Sequence, residues 1–213
     1  MVAEWAAVLP VRELAHAKSR LKVADRPLYA MSFLHDVLAA LRASSEVGTV
    51  VVVTPDPMLS TVQLNCPVIQ DTGIGINNAV KTGADWLMGI GHRGPVVVLL
   101  PDLPALRAHE FDAMLRGARC HSHTFLADSS GTGTTCVTAD RAHKLKTGFG
   151  KGSADQHRRW RFTEMKGFGR GLTQEVDTVD DLMLASKLGV GGHTSALLAS
   201  ANRREEPETQ ATA

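Results

Sequence analysis

The apolar positions of this chain alternate between short unbroken runs and longer stretches with helical spacing. Trp5 to Leu9 is an apolar run closed by Pro10 and predicts a first strand. Pro27 to Leu41 sets Leu28, Met31, Leu34, Val37, Leu38 and Leu41 at steps of three and four. That spacing predicts an amphipathic helix with a wide apolar face and Pro27 in its first turn; His35 falls on the polar side and reads as solvated. Val47 to Thr54 is rich in β-branched residues and predicts a second strand, ended by Pro55-Asp56-Pro57, and Pro67 to Gln70 predicts a shorter third. A helix follows over Asn77 to Met88, then a strand over Val96 to Leu100 that is apolar at every position, as a central strand buried on both faces requires. Arg107 to Cys120 predicts a helix with Phe111, Met114 and Leu115 inward; Thr124 to Ala127 and Cys136 to Thr138 predict two more strands. Ala154 to Arg158 predicts a helical turn, and Thr178 opens a helix to Leu188 with a capping-box pattern. This order leans toward an α/β fold with a mostly parallel sheet.

From Gly191 the pattern fades into Ala, Ser, Thr and charged residues. A folded domain is therefore expected over residues 1–192 and a polar tail over 193–213, disordered after about Ala201. The length of 213 residues suits one large domain, and 44% hydrophobic with 21% charged content is ordinary for a soluble one. A net charge of +1 gives no reason to expect nucleic acid or an acidic membrane as partner. Cys66, Cys120 and Cys136 lack metal-like spacing and read as reduced thiols, no apolar run approaches the ~20 residues of a membrane span, and the N-terminus lacks a basic signal-peptide region, so a cytoplasmic protein is expected.

The candidate chemistry sits between the elements. Asp102 follows the Val96–Leu100 run, between Pro101 and Pro104. Ligands of open α/β sheets bind at the carboxyl ends of strands, so Asp102 reads as a metal ligand or as a turn residue. Arg12, Lys18 and Arg20 after the first strand read as an anion-binding loop or as a solvated face. Asp71 to Asn78 holds a Gly-x-Gly turn before a helix, incomplete as a dinucleotide fingerprint, with Asn77 as helix cap or amide facing a base. His121 and His123 alternate without a third ligand nearby and read as loop. Gly131 to Thr135 suits a tight hairpin or an anion site. Phe149-Gly150-Lys151-Gly152-Ser153 is a second glycine-rich loop, beside the basic run His157-Arg158-Arg159. Glu175 and Asp177, at i and i+2, share a face of an extended segment; Asp177 reads as serving the dipole of the helix that follows or, with Asp102, as completing a Mg²⁺ site, since Mg²⁺ favours one or two carboxylates plus phosphate oxygens.

Taken in order, these stretches resemble the 2-phospho-lactate / phosphoenolpyruvate guanylyltransferases of deazaflavin coenzyme F-420 biosynthesis. The resemblance runs from about Ala6 to Gly192. It rests on Pro10-Val11-Arg12 with Lys18-Ser19-Arg20-Leu21, Val53 to Asp56, Asp102 to Leu106, Ala127-Asp128 with Gly131 to Thr134, Phe149-Gly150 with Ser153, and Val176-Asp177-Thr178 with Asp181-Leu182. It implies a single-domain Rossmann-like nucleotidyltransferase fold of the GT-A-like kind, with a mostly parallel sheet flanked by helices and a small β-hairpin region. It implies Asp102 as metal ligand with Glu175 and Asp177, Thr134, Gly150 and Ser153 on the phospho-acid, Arg12, Lys18 and Asn77 on the nucleotide, and Asp102, Lys18 and Arg20 at the reacting phosphates. Pro101 stands where the family has Gly, Glu175 where it has Asp, and Arg12 where Lys is common.

The activity implied is transfer of GMP from GTP to the phosphate of phosphoenolpyruvate or 2-phospho-L-lactate, with Mg²⁺ as cofactor. A transferase of other nucleotide or acceptor choice, or a non-catalytic nucleotide-binding relative, is the alternative. A homodimer, and hand-over of product to the enzyme that follows, are the protein partners compatible with this reading.

Overall fold

The computed structural model describes residues 4–23 and 25–205. They form β1 (Trp5–Pro10), α1 (Arg26–Arg42), β2 (Val47–Thr54), β3 (Val68–Gln70), α2 (Ile76–Gly89), β4 (Val96–Leu99), α3 (Ala108–Ala118), β5 (His123–Ala127), β6 (Thr134–Ala139), α4 (Ser153–Arg159), β7 (Thr163–Glu164), α5 (Val179–Leu188) and α6 (Gly192–Glu205). The strands make one sheet in the order β3-β2-β1-β4-β6-β5-β7. Every neighbouring pair is parallel except the two that involve β6, which runs against β4 and β5. The carboxyl ends of β1, β2, β4 and β5 therefore meet the amino end of β6 along one edge. The α/β expectation and the hairpin between β5 and β6 both hold.

Alternation along β1 and β4 splits the core into two layers. Ala7, Leu9, Val97 and Leu99 face α1 and α3, against Leu34, Leu38, Phe111 and Met114. Ala6, Val8, Val96 and Val98 face α2, against Val80 and Leu87. These eight strand residues are all 0% exposed, which is why both strands read as unbroken apolar runs rather than as alternating ones. A third cluster joins Leu21, Tyr29, Phe33, Ala105, Val176, Leu182 and Ala185, and so fastens α1 and α5 to the loop after β4.

Three expectations are corrected. Leu28, expected on the buried face of α1, is 53% exposed, and Tyr29 and Phe33 pack inward instead because α1 serves two cores. Residues 192–205 form a helix rather than a tail. The Asp36 carboxylate on α1 accepts from the backbone N–H groups of His193 (2.9 Å) and Thr194 (3.0 Å), and so caps the first turn of α6 from another helix. Leu197 and Leu198 then pack on the third cluster. His35 is not simply solvated: its ring stacks on His193 at 4.7 Å. The expected tail beyond Glu205 lies outside the described residues. Strand β7 has two residues, too few to leave a periodic signal. Among the described residues, no helix is long and apolar enough to cross a membrane.

Candidate active site

The sheet edge gathers three segments that are distant in sequence. The basic segment leaves β1 and is pinned at once: Val11 N–H donates to Val53 O (2.8 Å) and Leu14 N–H to the Asp56 carboxylate (2.9 Å). The second oxygen of Asp56 accepts from Met58 N–H (2.9 Å), so one carboxylate holds this loop against the end of β2. At the end of β4, Asp102 O accepts from Val176 N–H (3.0 Å), which draws residues 175–177 to Asp102. Gly171 makes this approach feasible, because a Cβ there would lie 2.1 Å from the Ala105 carbonyl oxygen.

Lys18 bridges the two acidic segments. Its ammonium donates to Asp102 Oδ2 and, at 3.0 Å, to Asp177 Oδ1; Arg20 Nη2 reaches Asp177 Oδ2 at 2.5 Å. The Lys18 and Asp102 side chains are 10% and 16% exposed, so solvent screens this bridge weakly. Burial pulls the Lys18 ammonium down, but Asp102 and Asp177 outweigh it and hold it above the ordinary lysine value. Burial pushes the Asp177 carboxyl up, and Lys18, Arg20 and Arg12 together bring it below its ordinary value. Lys18 itself sits at φ 55°, a left-handed backbone that costs a lysine about 1–2 kcal/mol. Asp102 Oδ1 is buried and unpartnered. Glu175 stands outside the bridge, with its carboxyl pushed up to about 7 by burial and by Asp102, Asp177 and Asp128. The expected set of Asp102, Glu175 and Asp177 is thus brought together but is not a closed cage: among the described residues no three His, Cys, Asp or Glu side chains enclose a metal position.

The other half of the edge is built from the two glycine-rich loops. Asp128, at the end of β5, accepts from Ser130 Oγ (2.8 Å) and Thr132 N–H (3.0 Å) and shapes the turn into β6. Ala154 N–H donates to Thr132 O (3.1 Å), which sets Ser153 and α4 beside that turn. Gly150, at φ +137°, permits a backbone path that side chains resist. Thr134 and Ser153 are both buried. Asn77 does not cap α2, whose cap position is Gly75. It donates to Phe149 O (3.0 Å) and accepts from Phe149 N–H (2.9 Å) and Thr147 Oγ1 (3.0 Å), so it positions the Phe149-Gly150 loop. Arg12 is exposed on the rim of a cavity of about 320 Å³ lined by Pro10, Pro55, Asp71, Gly73 and Gly75, where the first strand meets the turn before α2.

Comparison with known proteins follows the same outline. Residues 16–167 match the MobA-like NTP transferase domain. The chain belongs to this family. Among curated relatives, phosphoenolpyruvate guanylyltransferase 2 of Rhodococcus jostii (strain RHA1) is 45% identical, over 93% of this chain and 92% of its own. Phosphoenolpyruvate guanylyltransferase of Streptomyces scabiei (strain 87.22) is 40% identical, over 92% and 96%. Among solved structures, a protein of Desulfovibrio desulfuricans G20 described as a nucleotide-diphospho-sugar transferase aligns with a TM-score of 0.70 at 15% identity, over 94% of this chain and 96% of that one. A 4-diphosphocytidyl-2C-methyl-D-erythritol synthase aligns with a TM-score of 0.61 at 15% identity, over 88% and 99%. The last two similarities concern the fold.

Within this NTP transferase, one residue was misread from its neighbours. His157 was expected to add positive charge beside the second glycine-rich loop. It is instead 0% exposed, enclosed by Phe125, Phe149, Trp160 and Phe162. Burial lowers its pKa to about 4, so the ring is neutral near pH 7. Arg158 is spent on Asp155 (2.8 Å) and Glu164 (3.0 Å). In the unfolded chain His157 takes up a proton near its ordinary pKa of 6.5, whereas the folded protein refuses it until about pH 4. Stability from this residue is therefore present above pH 6.5 and lost as pH falls toward 4. Relative to a His157→Phe variant, wild type is expected to lose about 2 kcal/mol between pH 7 and pH 5. Urea unfolding of both proteins at the two pH values measures it. The opposite titration of Glu175 is common to both proteins and cancels in the difference. A pH-independent difference overturns the prediction.

Proposed function

We propose that this chain transfers GMP from GTP to the phosphate of a three-carbon phospho-acid, phosphoenolpyruvate first, and releases pyrophosphate. The observation that carries the proposal is the Lys18 bridge between Asp102 and Asp177 at the carboxyl edge of the sheet, in a chain 45% identical to a relative named for that reaction. An oxygen of the acceptor phosphate attacks the α-phosphorus of GTP, and the bond from that phosphorus to the bridging oxygen of pyrophosphate breaks. All reactants are anions, so alignment and charge neutralisation supply most of the acceleration. No general base is required, because the attacking phosphate is ionised at neutral pH.

Each residue has a part that its position supports. The cavity beside Arg12 suits the nucleoside end of GTP, and Arg12, Lys18 and Arg20 neutralise its phosphates. Thr134, Gly150 and Ser153 hold the phospho-acid, with Asn77 and Asp128 shaping their loops. Asp102 and Asp177 are the residues that would hold Mg²⁺. The fit is chemical: Asp102 keeps a buried oxygen without a partner, and two carboxylates already share one cation. Held there, the cation would supply charge neutralisation for the substrate phosphates beside Asp102 and Asp177.

Incubation with GTP, Mg²⁺ and each of phosphoenolpyruvate, 2-phospho-L-lactate and 3-phosphoglycerate tests the reading through pyrophosphate release and product mass. Phosphoenolpyruvate is expected to give the highest kcat/KM. Release with none of the three overturns the proposal. Thr134→Val is expected to raise KM for the phospho-acid roughly tenfold, the worth of one hydrogen bond to a charged group, and to leave KM for GTP unchanged. Equal effects on both substrates would remove Thr134 from the acceptor site.

A further inference from the structure

We infer that His157 is a positioning residue that turns the Thr134 hydroxyl into a hydrogen-bond donor toward the phospho-acid. The inference rests on the proposed placement of the acceptor at Thr134 and adds how that hydroxyl is made ready.

The argument is one of donors and acceptors. Gly148 N–H points at His157 Nε2 at 3.1 Å. A backbone amide has a hydrogen to give and no lone pair to offer, so Nε2 must be the unprotonated nitrogen. In a neutral imidazole the proton then resides on Nδ1. That nitrogen lies 3.0 Å from Thr134 Oγ1. Nδ1–H donates, and the hydroxyl oxygen accepts. The hydroxyl's own hydrogen is thereby turned away from the ring and is left for an incoming anionic oxygen. With the opposite tautomer, Thr134 would donate to the ring and present only lone pairs to an anion.

The surroundings hold this arrangement. His157 lies on α4, four residues after Ser153, so one short helix carries a proposed substrate residue and the histidine. Phe125, Phe149, Trp160 and Phe162 ring the imidazole and offer no carboxylate to draw it into a charged state. Gly148 belongs to the segment that Asn77 ties down through Thr147 and Phe149. The chain of dependence therefore runs from Asn77 through the 147–149 backbone to His157 and then to Thr134.

The test combines a spectroscopic and a kinetic arm on the full chain. ¹⁵N-histidine correlation spectra at pH 7, assigned by the peak lost in His157→Phe, are expected to show the neutral Nδ1–H form for His157. A Nε2–H form or an imidazolium overturns the inference without any variant needing activity. In steady-state assays, His157→Gln places its amide where Nε2 lies and leaves Thr134 without its donor, whereas His157→Asn keeps an N–H near the Nδ1 position. His157→Gln is expected to raise KM for phosphoenolpyruvate roughly tenfold or more with KM for GTP unchanged, and His157→Asn to restore most of that loss. In a Thr134→Val background, His157→Gln should add nothing further. Full additivity, or equal change in both KM values, overturns the inference. An active Thr134→Val enzyme with unchanged KM for phosphoenolpyruvate overturns the acceptor placement itself, a result separable from the tautomer.

Discussion

Replacement of Asp102 by alanine is expected to lower kcat/KM for GTP and phosphoenolpyruvate by about a thousandfold or more, the scale of removing a principal electrostatic group from a phosphoryl-transfer site. The fold should survive. β4 itself is untouched, and the bond from Val176 N–H to Asp102 O belongs to the backbone and persists in the variant. Lys18 retains Asp177, at 3.0 Å, as a counter-ion, so no cation is stranded. Buried Oδ1 of Asp102 has no partner to lose. The measurement is pyrophosphate release with each substrate in turn varied below its KM, with thermal unfolding as the control for folding. A folded Asp102→Ala protein that keeps wild-type turnover removes Asp102 from the metal and reaction site. Asp102→Asn sharpens the comparison, because it preserves volume and removes charge. A loss of similar size in both variants assigns the effect to charge rather than to packing.

How much of this was legible in the sequence depended on whether the deciding contact was local. The Val96–Leu99 strand was readable because burial on both faces leaves an unbroken apolar run, and Asp102 was readable because it ends that run. The start of α5 was readable for the same reason: Thr178 and Asp181 form their capping box within one turn. Glu175 and Asp177 were expected to act as a pair; the fold brings both to Asp102, but only Asp177 joins the ion-pair bridge. Val176 N–H binds Asp102 O, Asp177 pairs with Lys18 and Arg20, and Glu175 is left half-buried among carboxylates. Spacing fixes which residues are neighbours on one segment but not which partners arrive from elsewhere.

Helix α6 was missed because its cap lies on α1: Asp36 and His193 are 157 residues apart in the chain. Its own stretch shows no dense apolar stripe, and its docking depends on two leucines reaching a cluster built by other elements. His157 was misread because charge was inferred from the adjacent arginines, whereas its state is set by the aromatic cage and by Gly148 N–H. Asn77, read from its Gly-x-Gly turn as helix cap or base-facing amide and placed on the nucleotide by the resemblance, leaves the cap position to Gly75 and bonds the Phe149 backbone, a partner 72 residues away. The family resemblance, not spacing, singled out the residues proposed for the acceptor. The structure adds that the two loops bearing them are joined by Ala154 N–H, Thr134 and His157.

Lys18→Met is expected to destabilise the metal-free protein by about 3 kcal/mol at pH 7.5 and to make it more responsive to Mg²⁺ than wild type. Removing one partner of a well-buried ion pair costs ~3–5 kcal/mol, and the 30% exposure of Asp177 places the value at the lower end. The cause is that Asp102 and Asp177 are left facing each other without the ammonium that now lies between them. Methionine keeps most of the aliphatic stem, so lost packing contributes little, and the left-handed backbone at this position is retained in both proteins. The pH dependence follows from Asp177, whose carboxyl Lys18 helps to hold below its ordinary value. A lowered carboxyl pKa gives stability that is present above the unfolded value and lost as pH falls through the folded one. The gap between the two proteins should therefore narrow at acid pH, as the Asp177 carboxylate takes up its proton. In wild type, Mg²⁺ would compete with a tethered ammonium at these carboxylates; in the methionine variant it would meet Asp102 without a counter-ion and Asp177 paired only with Arg20. The midpoint of thermal unfolding should rise more steeply with Mg²⁺ in Lys18→Met than in wild type, while K⁺ at matched ionic strength should leave the difference in place. Equal Mg²⁺ response in the two proteins would show that the lysine and the divalent cation do not share a position.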